Sequence, residues 1–196
     1  MAFTNDFQPP AELRTAEFLL RPIRASDAEL DYEAVMESKE FLRLWEQTGW
    51  PEDDFTVEAN RADLEKMVHR FNDGESFAYT VMNPSETECL GCVYVFPTTA
   101  PLFAKGQITP IAGAAWSDYE AAIYFWVRKA RLVDGLDLRL LAMLRLWFAR
   151  DWHVAHPLII TNEQFAQQVD MIEGANLQRE FELTFPKEPG KSLAYA

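Results

Sequence analysis

Three groups of residues could do chemistry. Arg128, Lys129 and Arg131 precede a loop holding Asp134 and Gly135, which opens onto the apolar segment from Asp137 to Arg150. A strand that ends in a tight loop leading into a helix leaves backbone N–H groups unpaired at the positive end of the helix dipole. That arrangement cradles a diphosphate, and the neighbouring cations would serve further phosphates. The same stretch also reads as a plain strand–helix connection with a solvated basic face. The second group lies in LWEQTGWPEDDF, residues 44 to 55, where Trp45, Glu46, Trp50, Glu52, Asp53 and Asp54 combine aromatic faces with carboxylates. Such a mixture can hold a cation, and equally suits an acidic helix face with two core tryptophans. The third is Cys89 and Cys92, a C-x-x-C inside the strand-like run CLGCVYVF. With no second cysteine pair and no neighbouring histidine for tetrahedral zinc, they read as two half-buried thiols, with redox and metal chemistry as the alternatives. His153 and His156 lack a third ligand, so no metal is expected.

Charge narrows the classes of partner. The formal net charge is -13, which excludes a nucleic-acid binder, because phosphate neutralisation needs a basic surface. The charge is uneven: residues 128 to 150 carry six basic and two acidic side chains, a local +4 that leaves -17 for the remainder. From Asp27 to Glu75, 15 acidic residues face five basic ones. No apolar run approaches the roughly 20 residues that span a bilayer, and the first residues lack the pattern of a secretory signal, so a cytoplasmic protein without membrane contact is expected.

These groups need elements to position them. Phe18 to Arg24 reads as a strand with Pro22 at an edge or near the strand's own end. Ser26 and Glu29 form a capping box for the helix that follows, and a second helical piece runs from Phe41 to Glu46. Thr56 to Phe71 has helical spacing and stops at Gly74. Phe77 to Met82 and Cys89 to Phe96 make a hairpin. The stretch from Pro97 to Asp118 reads as a long loop. Ala121 to Val127 (AAIYFWV) suits a central strand covered on both faces, and Asp137 to Arg150 a buried helix. His156 to Thr161 is a further strand, Glu163 to Ile172 a helix, and the alternating Leu177 to Phe185 a half-exposed strand.

This order, with LLRPIRASD at 19 to 27, YFWVRKARLVDGLDLRLL at 124 to 141 and LIITNEQF at 158 to 165, resembles the GNAT superfamily of N-acetyltransferases over most of the chain. The resemblance implies a mixed α/β fold: a mostly antiparallel sheet of six to seven strands flanked by four to five helices. It implies an extension at residues 1 to 17, a single domain from 18 to 196, and transfer of acetyl from acetyl-coenzyme A directly to a primary amine of a small molecule or peptide. A homodimer is left open.

Site roles follow from the resemblance. Backbone of Phe125, Trp126 and Val127 would polarise the thioester and hold pantetheine, and Asn162 would bond the pantetheine arm. Arg128, Arg131, Gly135, Leu136 and Asp137 would surround the diphosphate. Asp134 stands where the family places glycine, so either the loop runs one residue longer, with Gly135 tight and Asp137 capping the helix, or coenzyme A binds weakly or not at all. Glu120 or Tyr124 would serve as base, since Ala122 stands where a glutamate aligns more readily. Val169 replaces the usual tyrosine acid. Trp45, Glu46, Trp50 and Tyr79 would bind the acceptor. A catalytically silent binding module of the same fold is the rival reading.

Overall fold

The computed structural model describes residues 7–111, 113–154 and 156–196. The strands are β1 (Leu13–Arg14), β2 (Leu19–Pro22), β3 (Phe77–Met82), β4 (Cys89–Pro97), β5 (Gln107–Pro110), β6 (Ala121–Val127), β7 (Pro157–Asn162), β8 (Arg179–Thr184) and β9 (Lys191–Tyr195). The α-helices are α1 (Ala28–Glu37), α2 (Lys39–Glu46), α3 (Val57–Asn72), α4 (Lys129–Leu132), α5 (Leu136–Trp147) and α6 (Ala166–Gly174). A π turn, Phe148–Trp152, continues α5. Among the described residues no helix is long and apolar enough to cross a membrane.

All nine strands form one sheet in the order β1-β2-β3-β4-β6-β7-β9-β8-β5. Every pairing is antiparallel except β6 with β7. The sheet is wider than the expected six or seven strands. The expected long loop contributes β5, which pairs with β8, and the last residues form β9 between β7 and β8. The residues expected to be an extension contribute β1, and Pro10 accepts a hydrogen bond from the Tyr79 hydroxyl at 2.7 Å.

Period-two alternation decides which helices each strand residue meets. Tyr79, Val93, Phe125 and Val127 face α5, its π turn and α6, packing on Leu140, Leu144, Trp147 and Trp152. Ala78, Cys92 and Trp126 face α1, α2 and α3, against Val35, Leu42 and Leu64. Each such large apolar side chain, fully buried, stabilises the fold by about 1.5–3 kcal/mol. On the same face farther along the sheet, Ala122, Leu158, Ile160 and Phe181 are covered by Phe103 and Trp116 from the β4–β6 connection.

Two local expectations change. The Ser26–Glu29 capping box is not formed: residues 25–27 make a 3-10 turn without a side-chain cap. Instead, Arg21 forks onto Asp27 at 2.7 and 2.9 Å and reaches Glu86 at 2.7 Å, fastening β2 to the start of α1. The cysteines are fully buried rather than half-buried. Three residues apart in a regular strand they would point to opposite faces, but the β3–β4 register shifts so that Met82 opposes Cys89 while Val81 opposes Gly91. This bulge brings both thiols to the α1 face. Gly91 is required there: φ is +150°, and a Cβ would lie 2.1 Å from the Trp126 carbonyl oxygen.

Candidate active site

The sheet parts in its middle. β6 and β7 pair only at Ala121–Pro157, Ala122–Leu158 and Ile123–Ile159. Beyond that, β6 stays bonded to β4 up to Val127 and β7 stays bonded to β9 up to Asn162. Both strands are thus held on their outer edges while the inner edges, Tyr124–Val127 and Ile160–Asn162, diverge. Backbone groups exposed along such an edge need partners. Part of the need is met by Gln168 of α6, which is 2 % exposed. Its Nε2 donates to the Phe125 carbonyl at 2.9 Å, and its Oε1 accepts from the Thr161 hydroxyl. Asn162 lies at the mouth of the opening. Its Oδ1 accepts from Gln164 N at 2.7 Å, while its buried Nδ2 has no partner.

Past Val127 the chain makes Arg128, the single turn α4, and Gly135 at φ +67°, the N-cap of α5. This left-handed cap costs little only for glycine. Gly135 takes the tight position, but it is itself the N-cap of α5, and Asp137, expected to cap the helix, lies in the first turn without a side-chain cap. Asp137 Oδ1 accepts from Leu138 N at 2.9 Å, and Oδ2 accepts from Gln167. Asp137 is 3 % exposed, so a carboxylate of the protein itself sits at the positive end of α5.

The same holds at α4. Lys129 N donates to Ser38 Oγ at 3.0 Å and Ala130 N to Glu37 Oε1 at 3.0 Å. The cations are also engaged: Arg128 with Glu37 at 2.6 Å and Glu88 at 3.6 Å, Arg131 with Glu88 at 3.4 Å and Asp134 at 3.7 Å, Arg139 with Glu17 at 2.6 Å. A cavity of about 240 Å³ lies beside them, lined by Glu17, Leu90, Arg131, Asp134, Leu136 and Arg139. As arranged, the pantetheine end of a coenzyme fits this region, through the open strand edge and the orphan Asn162 donor. The diphosphate end does not fit until Glu37 moves, because the α4 amides and the arginines already hold internal acids.

On the α2 face of the opening a second group assembles. Trp45 packs on Tyr94 and on Tyr124, with centroids 6.1 and 6.5 Å apart, and Tyr124 meets Phe96 edge-on at 5.8 Å. Glu46 and Glu188 accompany these rings. Gln47 binds the same β8–β9 connection, donating to Glu188 at 3.2 Å and accepting from Gly190 N at 2.6 Å. Glu46 keeps contact with solvent. Although the residue is exposed, the protein packed beside its carboxyl raises it by desolvation first and then by the charge of Glu188, up to about 7. Desolvation also raises Glu188, and Tyr124 is raised by desolvation and then by both carboxylates. The Trp45 indole N–H is buried without a partner.

The structure therefore brings together Tyr124, Trp45 and Glu46 from the sequence-based set. Phe125 and Val127 are buried beneath α5, Leu136 is buried as the first residue of α5 itself, and Trp126 donates its indole N–H to Tyr94 Oη at 3.2 Å. Three of the expected site residues lie outside this cluster. Glu120 lies before β6 at its paired end, about four residues and hence roughly 13 Å along the strand from the start of the opening. Tyr79 is on the opposite face, 0 % exposed among Phe71, Trp147 and Trp152. Trp50 packs on Phe55 outside the cluster of rings around Tyr124. Sequence reasoning passed over Glu37, Glu88, Gln168 and Glu188, none of which belongs to a local motif.

No protein-family model matches the sequence, and no curated protein matches it. Solved structures do. The ribosomal L7/L12 alpha-N-protein acetyltransferase RimL, in complex with coenzyme A, is 16 % identical with a TM-score of 0.66, covering 95 % of this chain and 94 % of that one. The microcin C7 self-immunity acetyltransferase MccE, in complex with acetyl-CoA and AMP, is 13 % identical with a TM-score of 0.68 and 95 % coverage of both chains. The ribosomal-protein-S5-alanine acetyltransferase from Vibrio fischeri is 14 % identical, with a TM-score of 0.67 and 95 % coverage of both. The chain has the GNAT fold, as the order of its elements implied.

Proposed function

We propose that the protein is an acetyl-coenzyme A-dependent acyltransferase that acetylates a primary amine on a small molecule or peptide. The observation that carries this reading is the parting of β6 and β7, a backbone edge in mid-sheet that Gln168 satisfies only in part, with the orphan Asn162 donor at its mouth. Neighbours of the same fold support it: RimL in complex with coenzyme A, MccE in complex with acetyl-CoA, and the ribosomal-protein-S5-alanine acetyltransferase.

When bound, acetyl-coenzyme A supplies the acyl group as a thioester. The edge from Phe125 to Val127 and Asn162 hold its pantetheine arm. The ammonium group of the acceptor is drawn to Glu46 and Glu188, against the faces of Trp45 and Tyr124. A carboxyl poised near neutrality is matched to taking a proton from an amine, so Glu46 replaces Glu120 as the base. Tyr124, whose hydroxyl is kept protonated by its surroundings, orients the acceptor. The acidic stretch between Asp27 and Glu75 favours a cationic acceptor over an acidic one.

A catalytically silent module is the second reading, and a specific observation favours it: Glu37 and Asp137 occupy helix-end amides that would otherwise face a diphosphate. Thermal unfolding with acetyl-CoA, followed by mass spectrometry of an amine and peptide panel, separates the two. At about 100 times its dissociation constant the ligand stabilises by roughly 2.7 kcal/mol, raising Tm by about 5–10 °C. A shift with an acetylated product supports the enzyme; a shift without product supports a silent coenzyme-binding module; no shift removes coenzyme binding and the enzyme reading together.

A further inference from the structure

We propose that Asp31, Cys89 and Cys92 form a binding site for a thiophilic divalent cation of the Zn2+ type, enclosed when α1 docks on the sheet. The three side chains come from elements about sixty residues apart, and their ligand atoms all lie within 4.8 Å of one another. Asp31 Oδ1 is 3.7 Å from Cys89 Sγ and 3.3 Å from Cys92 Sγ. Tetrahedral zinc with Zn–O of about 2.0 Å and Zn–S of about 2.3 Å separates oxygen from sulfur by about 3.5 Å, so a cation can enter with little rearrangement.

Electrostatics asks for that cation. Asp31 is 3 % exposed, and its hydrogen-bond partners are the Asn60 amide and the two thiols, all neutral. Buried charges are paired or bind metals. A divalent cation bound here would displace the ligands' protons to solvent.

Support around the cluster has the character of a metal site's outer shell. Asn60 gives one N–H to Asp31 Oδ2 at 3.0 Å and the other to the Ala28 carbonyl at 3.0 Å, leaving Oδ1 turned to the sulfurs. The bulge at Leu90 sets both sulfurs on one face. Thr80 opposes Cys92 across the ladder, on the same face, and its hydroxyl is fully buried without a partner, an oxygen available for the fourth position. Two sulfurs and an oxygen select Zn2+ or Co2+ over Mg2+ or Ca2+.

The test uses the full chain, unfolded with reductant and chelator and then refolded with Co2+. One Co2+ per chain is expected, with a thiolate-to-cobalt charge-transfer band that Zn2+ abolishes. Cys89→Ser and Cys92→Ser should each about halve the band at saturating Co2+ and weaken binding about 100-fold, and Asp31→Asn should weaken it about 10- to 100-fold, while far-UV circular dichroism reports folding without metal. Absence of the band in the wild-type protein overturns the proposal whatever the variants do, leaving a core of hydrogen-bonded neutral acids. Equal Co2+ affinity in wild type and a folded Cys92→Ser variant overturns it as well.

Discussion

Two acidic regions flank the parted strands, and they treat charge in opposite ways. On the loop side, Glu37, Glu88, Asp134 and Glu17 each meet an arginine, and Glu37 and Asp137 also accept backbone amides. On the α2 side, Glu46 and Glu188 meet aromatic rings and each other with no cation among their described ion pairs, and their carboxyls rise. A matched set is satisfied as it stands; an unmatched set favours an incoming cation. The contrast supports an amine on the α2 side and makes the loop side the place where coenzyme binding has to displace something.

Removing the unmatched acid should have the largest effect. Glu46→Gln keeps the shape and deletes the proton acceptor, so kcat for amine acetylation should fall about 10²- to 10⁴-fold. In the wild type, kcat/KM should rise with pH through about 7, as Glu46 loses its proton, and this inflection should vanish in the variant. An inflection that survives would assign the base elsewhere.

Next in size is the bridge between the two regions. Gln168→Leu leaves the Phe125 carbonyl and the Thr161 hydroxyl buried without their partner. Such groups cost about 1–3 kcal/mol each, so thermal melting should fall by about 4–24 °C. A change below about 2 °C would mean that water enters the opening freely.

A smaller change probes the matched side. Glu37→Ala frees the Ala130 amide and one partner of Arg128. If a diphosphate competes for those groups, the affinity for coenzyme A measured by calorimetry should rise about tenfold, the equivalent of roughly 1.4 kcal/mol. An unchanged affinity would place the diphosphate away from α4.

What the sequence disclosed follows from how local each signal is. The run AAIYFWV and the apolar segment after Gly135 carry their signals within a dozen residues and became β6 and α5, but α5, expected to be buried, leaves Leu138 and Leu146 exposed. β5, four residues long, was missed because it is fixed by pairing with distant β8, and β9, five residues long, because it is set by insertion between β7 and β8. Tyr79 was assigned to the acceptor side because its face depends on register: opposite Val93, itself opposite Phe125, it is committed to the α5 face. Trp45 and Glu46 could be seen in composition. Glu188 could not, for it reaches Glu46 only through a connection about 140 residues away, and Asp31 joins the cysteines over a similarly silent distance.

The smallest expected effect tests the unmatched acid without any substrate. A carboxyl raised from 4.5 to about 7 on folding binds more protons in the native state than in the unfolded one between those values. Stability contributed by Glu46 is therefore present at low pH and is lost as pH rises through about 7. Gln at this position cannot ionise, so Glu46→Gln should match the wild type at pH 5 and melt higher at pH 8. Because Glu46 keeps solvent contact, screening limits the gain to about 1 kcal/mol, or about 3 °C. A gain at both pH values would point to packing instead, since charge repulsion between Glu46 and Glu188 exists only where both have lost their protons.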